Sequence, residues 1–202
     1  MIVTKAYQYF EFEVSLLWIE PRVWRRFMLP LDATFNDLHQ AIQDAGPWED
    51  QHMHAFHATL KDRHEIGEPE PRGVMFFLER PKAVKKNIRL ADYFLKDRKK
   101  KCYYEYDFGD SWRHEVKFVG RIKELPEKFL RRLTGGERSF PMEDCGGVPG
   151  YYACLDARKI LADPNAPMEP EDRDYASEFL EWVEEWDPEG FDLEKAKKRF
   201  DR

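Results

Sequence analysis

The chain has few cysteines, no long apolar run and no excess of positive charge. Only three of its 202 residues are cysteines, Cys102, Cys145 and Cys154. Their small number and wide spacing exclude a disulfide framework and a paired-cysteine zinc site, and they fit a reducing compartment. No segment approaches the roughly 18 consecutive apolar residues that a membrane span requires, and residues 1–20 have no signal-peptide pattern. We therefore expect a cytoplasmic protein with no membrane partner.

Sequence motifs of two large enzyme classes are also missing. The chain has neither a P-loop nor a G-x-G-x-x-G phosphate cradle, and the acidic residues before Gly146 and Gly147 oppose anion binding there. None of its serines lies in the G-x-S-x-G turn that presents a nucleophile. Nucleotide binding and serine-based catalysis are therefore not expected.

The chain does have enough apolar and aromatic residues for a large core. Hydrophobic residues make up 42% of it, charged residues 36% and aromatic residues 15%. This balance excludes a disordered segment and favours a single domain over residues 1–202. Within that domain, residues 1–120 are expected to be the sheet-rich half and residues 121–202 the helical and loop half.

Apolar residues at alternate positions predict most of the first half as strands. In the opening segment, Phe10, Phe12 and Val14 alternate with polar residues. A helix is predicted from Thr34, which caps the first turn, to Ala45. The predicted strands cover residues 8–19, 22–29, 52–60, 74–78, 102–108 and 112–119. The opening order of strand, strand, helix and strand resembles a β-grasp.

The second half is predicted to be mainly helical. Because strands come first and helices later, the chain is predicted to be α+β, with a mixed, mainly antiparallel sheet packed by C-terminal helices. At helical spacing, Tyr175, Phe179 and Trp182 form an aromatic stripe, which we interpret as a core-facing surface. The predicted helices lie near residues 126–133, 151–162, 171–186 and 192–200.

The charge is distributed unevenly. The net charge is −6, but residues 80–101 carry ten Lys or Arg against two Asp, which makes this segment +8. A nucleic-acid or protein-binding module would use this segment, with the aromatic residues at 93, 94, 103 and 104 for base stacking. The simpler interpretation, favoured slightly, is a solvated face that offsets the acidic remainder. The binding residues of the first interpretation are Lys85, Lys86, Lys99, Lys100 and Lys101.

Histidine and carboxylate side chains gather in three segments. His52 and His54 would point to one face of a strand, since residues two apart share a face. Asp110 and His114 lie at a predicted hairpin turn and just after it. Nitrogen and oxygen ligands of this kind suit zinc or another divalent transition metal. The candidate metal ligands are His52, His54, Asp110 and His114, and the candidate pocket residues are Asp107, Trp112 and Cys145.

The same residues also have an ordinary structural interpretation. His52 and His54 share their predicted face with apolar residues, so hydrogen bonds to nearby carboxylates would brace the fold, and the sequence favours this interpretation. If a metal binds, metal-assisted hydrolysis needs a carboxylate that takes a proton from water, and Glu143 and Asp144 are the candidates. Cys145 is interpreted as a structural thiol because neighbouring carboxylates disfavour its thiolate.

Two longer motifs carry a resemblance to a known family. Residues 104–114 read Y-x-Y-D-F-G-D-x-W-x-H, and residues 141–151 are close to P-P-E-D-x-G-G-x-x-G-Y. The closing segment W-x-P-x-x-F-D, residues 186–192, agrees as well. Together they resemble the plasmid pRiA4b ORF-3-like family over nearly the whole chain. The chain departs from the family pattern at Met142, which replaces a proline, and at Leu133, near which the family often has a cysteine.

The resemblance implies a cytoplasmic α+β protein of prokaryotic genomes and mobile elements, with no established activity. Members are sometimes described as transposon passenger or resolvase-like proteins. The expected function is therefore that of an uncharacterised relative of mobile-element passenger proteins with a His/Asp pocket. The alternatives are a nucleic-acid or protein-binding module and a divalent-metal-dependent hydrolase.

Overall fold

A computed structural model of the chain describes residues 6–46, 48–61, 65–66 and 88–202. The strands in these ranges, except the one at residues 132–137, follow the alternation of apolar residues in the sequence. They are β1 (Tyr7–Leu16), β2 (Trp24–Pro30), β3 (His54–His57), β4 (Lys101–Tyr106), β5 (Trp112–Leu125) and β6 (Arg132–Glu137). The strand predicted over residues 74–78 lies outside the described residues, as do Lys85 and Lys86.

The strands form one open sheet in the order β3-β4-β5-β1-β2-β6. Every pair of neighbours among the described strands is antiparallel. The opening order of strand, strand, helix and strand is present, but β3 lies at the edge of the sheet, separated from β1 by β4 and β5. The sheet and its helices confirm the α+β class, whereas the grasp-like detail is not confirmed.

Helices and a π-helical turn accompany the sheet. The first helix, α1 (Phe35–Ala45), begins where predicted, because the Thr34 hydroxyl accepts from the Asp37 N–H at 3.3 Å and the Asp37 carboxylate accepts from the Thr34 N–H at 2.7 Å. The other elements are the π-helical turn Asp92–Lys96, α2 (Gly147–Ala162), α3 (Pro170–Ser177) and α4 (Leu193–Phe200). Within the described ranges, none of the helices has the length and apolar character of a membrane span.

The core lies on one face of the sheet and is shared with the helices. Alternate residues of β1, such as Phe10, Phe12 and Val14, are buried there, as the two-residue period of a strand requires. Strands β4 and β5 add Tyr104 and His114, which are cross-strand partners. One apolar cluster runs from β1 to α4 and so includes both halves of the chain.

The prediction of a helix over residues 126–133 is wrong. In its place, Phe129 stacks on Tyr9, with 3.8 Å between ring centroids, and Leu133 pairs with Phe27 inside the sheet. Phe129 and Leu133 are four residues apart, as on one face of a helix, but they belong to two different apolar clusters. Tertiary contacts therefore overrule the local pattern.

The helix predicted over residues 171–186 is shorter than expected. It ends at Ser177 as α3, and turns follow it. The aromatic stripe is only partly buried as a result, since Tyr175 is 42% exposed and Trp182 is 51% exposed. The remaining two predicted helices are present as α2 and α4.

Candidate metal centre

The turn between β4 and β5 holds Asp107 beside the segment that leads into β3. Asp107 has a φ of 54°, in the left-handed region, and its Oδ1 accepts a hydrogen bond from the Gly109 N–H at 2.9 Å. The Asp107 N–H in turn donates to the Met53 carbonyl at 2.9 Å. The turn is thereby fastened to the residues that precede β3.

The Gly-rich loop before α2 packs against the same turn. The Gly146 N–H donates to Asp110 Oδ2 at 3.0 Å. Gly147 has a φ of 68°, and a Cβ on it would lie 2.4 Å from the Asp110 carbonyl oxygen, so this approach requires glycine. The contact brings Asp144, which lies in the same loop, to the β4–β5 turn.

Three of the predicted residues, His52, Asp107 and Asp144, meet from three separate segments, and we call them the His52 cluster. Each offers one ligand atom, and these atoms lie within 4.8 Å of one another. His52 Nε2 lies 2.9 Å from Asp144 Oδ1, and His52 Nδ1 lies 3.8 Å from Asp107 Oδ2. The contact at 2.9 Å lacks the alignment of a hydrogen bond, so the buried Nε2 atom has no hydrogen-bond partner among the described residues.

Two further carboxylates anchor the loop that carries Asp144. Asp110 holds the loop through its Oδ2, as described above. Glu143 accepts hydrogen bonds at both oxygens, from the Tyr106 hydroxyl and from the Glu49 N–H at 2.8 Å. Burial and this carboxylate raise the pKa of Tyr106, so the phenol stays protonated and keeps donating. Of the two candidate proton acceptors, Glu143 therefore positions the loop and Asp144 belongs to the His52 cluster.

His54 belongs to a second group, with His39 and Asp50, neither of which was among the predicted ligands. The ligand atoms of this group also lie within 4.8 Å of one another. The two imidazole rings stack with 3.5 Å between centroids and 12° between planes. His39 Nε2 lies 2.9 Å from Asp50 Oδ1, and His39 Nδ1 lies 2.8 Å from the Tyr104 hydroxyl.

Hydrogen bonds engage the side chains around His39 in this second group. The Asp50 N–H donates to Gln43 Oε1 at 3.1 Å, so the Gln43 amide nitrogen is free to donate to the Tyr104 hydroxyl at 2.9 Å. The Tyr104 hydroxyl also lies within hydrogen-bond distance of His39 Nδ1, and His39 Nε2 lies beside Asp50 Oδ1. Both ring nitrogens of His39 are engaged, which favours a structural network here. The signal that could have found this group is a histidine on the apolar face of the predicted first helix.

His114 and Trp112 lie in the core, and His114 is in neither ligand group of the described residues. The His114 ring is 5.4 Å from the Trp48 ring and 6.0 Å from the Phe140 ring. Burial lowers the pKa of His114 to about 4, so the imidazole is neutral near pH 7. Its Nδ1 lies 3.4 Å from the Tyr104 carbonyl oxygen. Both side chains therefore pack as core residues on the inner face of β5.

Cys145 is buried as well. A hydrogen bond with the Cys154 thiol, together with burial, raises the pKa of Cys145, so the thiol stays protonated. All three cysteines are buried and free. These contacts support a structural role for Cys145.

The described end of the basic segment offers charge but few rings for stacking. Lys99 and Lys100 are exposed. Lys101 Nζ lies 2.7 Å from Glu115 Oε2, and this hydrogen bond raises the pKa of Lys101. Of the four aromatic residues nearby, those at 93, 94 and 104 are buried in the core, and only Tyr103 is partly exposed.

Comparisons with known proteins point to one family. The sequence profile of the family described as Plasmid pRiA4b ORF-3-like protein matches residues 8–195. The chain is 28% identical over 172 residues to Uncharacterized protein y4hQ of Sinorhizobium fredii, an alignment that covers 84% of this chain and 78% of that protein. Its fold is similar to the crystal structure of the protein of unknown function MM3350 from Methanosarcina mazei Go1. The TM-score is 0.71 at 29% identity, and 95% of this chain and 98% of that chain are covered.

Proposed function

The chain belongs to the plasmid pRiA4b ORF-3-like protein family, and for this member we propose a divalent-metal-binding function that supports hydrolysis at the His52 cluster. The descriptions of its relatives name no activity, so the proposal depends on the geometry of the site. One observation carries it, the unaligned contact of 2.9 Å between His52 Nε2 and Asp144 Oδ1.

That contact is close to the spacing of two ligands of one metal ion. Zinc holds imidazole nitrogen and carboxylate oxygen at about 2.0–2.2 Å, so neighbouring ligands of a tetrahedral ion lie about 3.4 Å apart, and a movement of about half an ångström would bring these two atoms to that spacing. Without a cation, a buried ring nitrogen that makes no hydrogen bond is unfavourable. A divalent ion between His52 and Asp144 would satisfy both atoms.

The exposure of the His52 cluster supports an open site. The side chain of His52 is 30% exposed, that of Asp107 is 13% exposed and that of Asp144 is 61% exposed. Three protein ligands leave one position of a tetrahedral ion for water or substrate, which is the arrangement of catalytic zinc sites.

The residues of the chain can supply the proton transfer that hydrolysis needs. A divalent ion here would polarise a carbonyl group and make water more acidic. Glu143 accepts hydrogen bonds at both of its oxygens and is therefore engaged. Asp144 is exposed and would hold the metal through Oδ1, so we assign the proton from water to its other oxygen, Oδ2.

Metal content and metal affinity are the first test of this function. We expect the purified protein to bind zinc or a related divalent ion, and His52→Ala and Asp144→Asn to weaken binding by about 100-fold or more. Plasma mass spectrometry and calorimetric titration measure these quantities. His57→Ala is the matched control, since His57 lies in β3, the strand that follows His52, but its Nε2 atom lies 3.7 Å from Glu105 Oε2, away from the His52 cluster.

Two outcomes would count against the function. Binding that survives in both variants would place the metal elsewhere, and a protein that takes up no zinc, manganese or cobalt would refute the site. If metal binds, hydrolysis is tested with ester and amide substrates. We expect a chelator to abolish turnover and returned metal to restore it.

A second candidate function, the binding of nucleic acid, has one observation in its favour. Lys96, Arg98, Lys99 and Lys100 are all exposed at the end of the basic segment. Such a surface predicts a steeply salt-dependent affinity for single-stranded DNA or RNA, which Lys99→Ala and Lys100→Ala together would weaken. No binding at low salt would exclude it.

We also propose a cytoplasmic location and a relation to mobile-element passenger proteins. The three free cysteines support the first, because they fit a reducing compartment. The plasmid in the family description supports the second. The proposed metal site depends on neither.

A further inference from the structure

Three exposed apolar residues lie on segments that form or contact the His52 cluster. Met53 is 70% exposed, Phe108 is 47% exposed and Tyr175 is 42% exposed. Single apolar residues are ordinary on a protein surface, but three on the segments around one polar centre can give a bound ligand apolar contacts. We call Met53, Phe108 and Tyr175 the apolar rim.

Met53 and Phe108 lie on the Asp107 side of the cluster. Met53 directly follows His52, and its carbonyl oxygen accepts the hydrogen bond from the Asp107 N–H. Phe108 directly follows Asp107 in the β4–β5 turn. The backbone contact therefore holds both apolar residues on neighbouring segments, each next to a residue of the cluster.

Tyr175 lies on the Asp144 side of the cluster. Its hydroxyl oxygen is 3.6 Å from the position that a Cβ on Gly146 would take. Gly146 is two residues after Asp144 in the same loop, so Tyr175 of α3 adjoins this loop. A tyrosine can pack its ring against an apolar group and donate a hydrogen bond from its hydroxyl.

The charge around the cluster restricts the ligand in a second way. None of the carboxylates in this region forms a salt bridge with Lys or Arg in the described part of the chain. The site therefore keeps negative charge even with a divalent ion bound, and this charge repels anions such as phosphate esters. These carboxylates belong to Glu49, Asp107, Asp110, Glu143 and Asp144.

We infer that the ligand of the His52 cluster is an uncharged molecule with an apolar, ring-sized group next to the oxygen that the metal holds. The inference rests on the proposed function, because the metal receives the polar end of the molecule. The apolar group packs on the rim, and the Tyr175 hydroxyl is available to a polar atom beside it. An ester or amide of an aromatic or branched acid has this chemistry.

Hydroxamic acids test the inference, because they are uncharged in solution near pH 7, bind metal ions through their oxygens and can carry an apolar group. With zinc-loaded protein, we expect benzohydroxamate to bind about tenfold more tightly than acetohydroxamate, since the phenyl ring buries apolar surface on the rim. Phenylphosphonate, which carries the same ring on an anion, is expected to bind more weakly than benzohydroxamate. Calorimetric titration measures all three affinities.

Variants of the rim complete the test. We expect Phe108→Ser and Met53→Ser each to reduce the preference for benzohydroxamate to about twofold or less. Leu130→Ser is the matched control, since Leu130 is 67% exposed and precedes β6, at the opposite edge of the sheet from β3. The zinc affinity of each variant is measured separately.

The outcomes distinguish the two proposals. Equal affinity of the wild type for both hydroxamates, or an undiminished preference in both rim variants, would overturn the inference and leave the metal site standing. Phenylphosphonate binding as tight as that of benzohydroxamate would overturn its requirement for an uncharged molecule. A protein that binds no zinc would overturn both proposals.

Discussion

At the scale of single residues, the candidate metal centre depends on two carboxylates in an uncommon backbone conformation. Asp107 has a φ of 54° and Asp144 a φ of 62°. Among residues with a side chain, Asp and Asn tolerate this left-handed region better than most. An aspartate at such a position supplies both the turn and an oxygen ligand, and substitution can separate these two contributions.

Two substitutions of Asp144 distinguish its contribution to the turn from its contribution as a metal ligand. In metal-free protein, we expect Asp144→Asn to change the free energy of unfolding by less than about 0.5 kcal/mol, because asparagine keeps the backbone conformation. Asp144→Ala should lower it by about 1 kcal/mol, because alanine disfavours the left-handed region. Both variants should lose metal affinity, since each lacks the carboxylate. Urea denaturation and calorimetric titration measure these effects.

Either half of this prediction can fail. Wild-type metal affinity in Asp144→Asn would show that Asp144 is not a ligand. If Asp144→Ala is as stable as Asp144→Asn, the backbone conformation at this position has no measurable cost.

His114 is expected to make the protein less stable in acid. Burial holds the pKa of His114 at about 4 in the folded chain, against an ordinary value of 6.5. Between these pH values the unfolded chain takes up a proton that the folded chain does not, so stability falls as the pH is lowered through this window. The shift corresponds to about 3 kcal/mol in the free energy of unfolding.

The variant His114→Phe isolates this effect, because an apolar ring can pack between Trp48 and Phe140. Carboxylates titrate in the same window, so the comparison is between wild type and variant, by urea denaturation at pH 7 and at pH 4. The wild type should lose about 3 kcal/mol more than the variant. Equal losses would assign the acid sensitivity to other groups.

At the scale of elements, the start of α2 decides where Asp144 lies. A Cβ on Gly150 would lie 1.6 Å from the Cys145 carbonyl oxygen. The Gly150 N–H also donates a hydrogen bond to the Gly146 carbonyl oxygen at 3.3 Å. The first turn of α2 is therefore folded tightly against the loop that carries Asp144.

Gly150→Ala is expected to lower the free energy of unfolding by about 2 kcal/mol or more, because the added methyl group requires the loop to move. Metal affinity should fall too, since the moved loop separates Asp144 from His52. Gly120→Ala is the matched control, because a Cβ on Gly120 in β5 meets no atom within 4 Å. Thermal unfolding and metal titration check both variants, and wild-type behaviour of Gly150→Ala would contradict this packing.

At the scale of the whole molecule, residues from both halves of the chain pack into one core. The Phe200 ring of α4 lies 5.4 Å from the Phe27 ring of β2. The same cluster includes residues of α1 and α2. These contacts support the single domain predicted from the sequence, which stays a prediction until its unfolding is measured.

We expect urea to unfold the protein in one cooperative transition, because neither half can bury its apolar surface without the other. Far-UV circular dichroism reports on the helices and strands. Fluorescence reports on both halves, since Trp48 and Trp112 lie in the first and Trp186 in the second. The two curves should coincide, whereas two separate transitions would show that the halves fold independently.

Local patterns predicted most of the sheet-rich half and the start of α1. The alternation around Phe12 and the cap at Thr34 involve neighbouring residues, so the sequence displays them directly. The helix predicted over residues 126–133 failed for a long-range reason. Leu133 packs in the core as the sheet partner of Phe27, a contact that no local pattern reveals.

The candidate site divides in the same way. The chemistry of their side chains identified His52, His54 and His114 as candidate ligands, but only the fold distinguishes them. His54 stacks on a histidine of α1, and His114 is fully buried. Only His52 meets the two aspartates, since burial and partners depend on residues that are distant in sequence.

By itself, the sequence determined the α+β class, the resemblance to the family and the supply of histidine and carboxylate side chains. These follow from composition, alternation and short motifs, which are properties of neighbouring residues. Only the tertiary structure decided which side chains meet. The Gly-rich loop docks on the β4–β5 turn through long-range backbone contacts, and this docking brings Asp144 to 2.9 Å from His52.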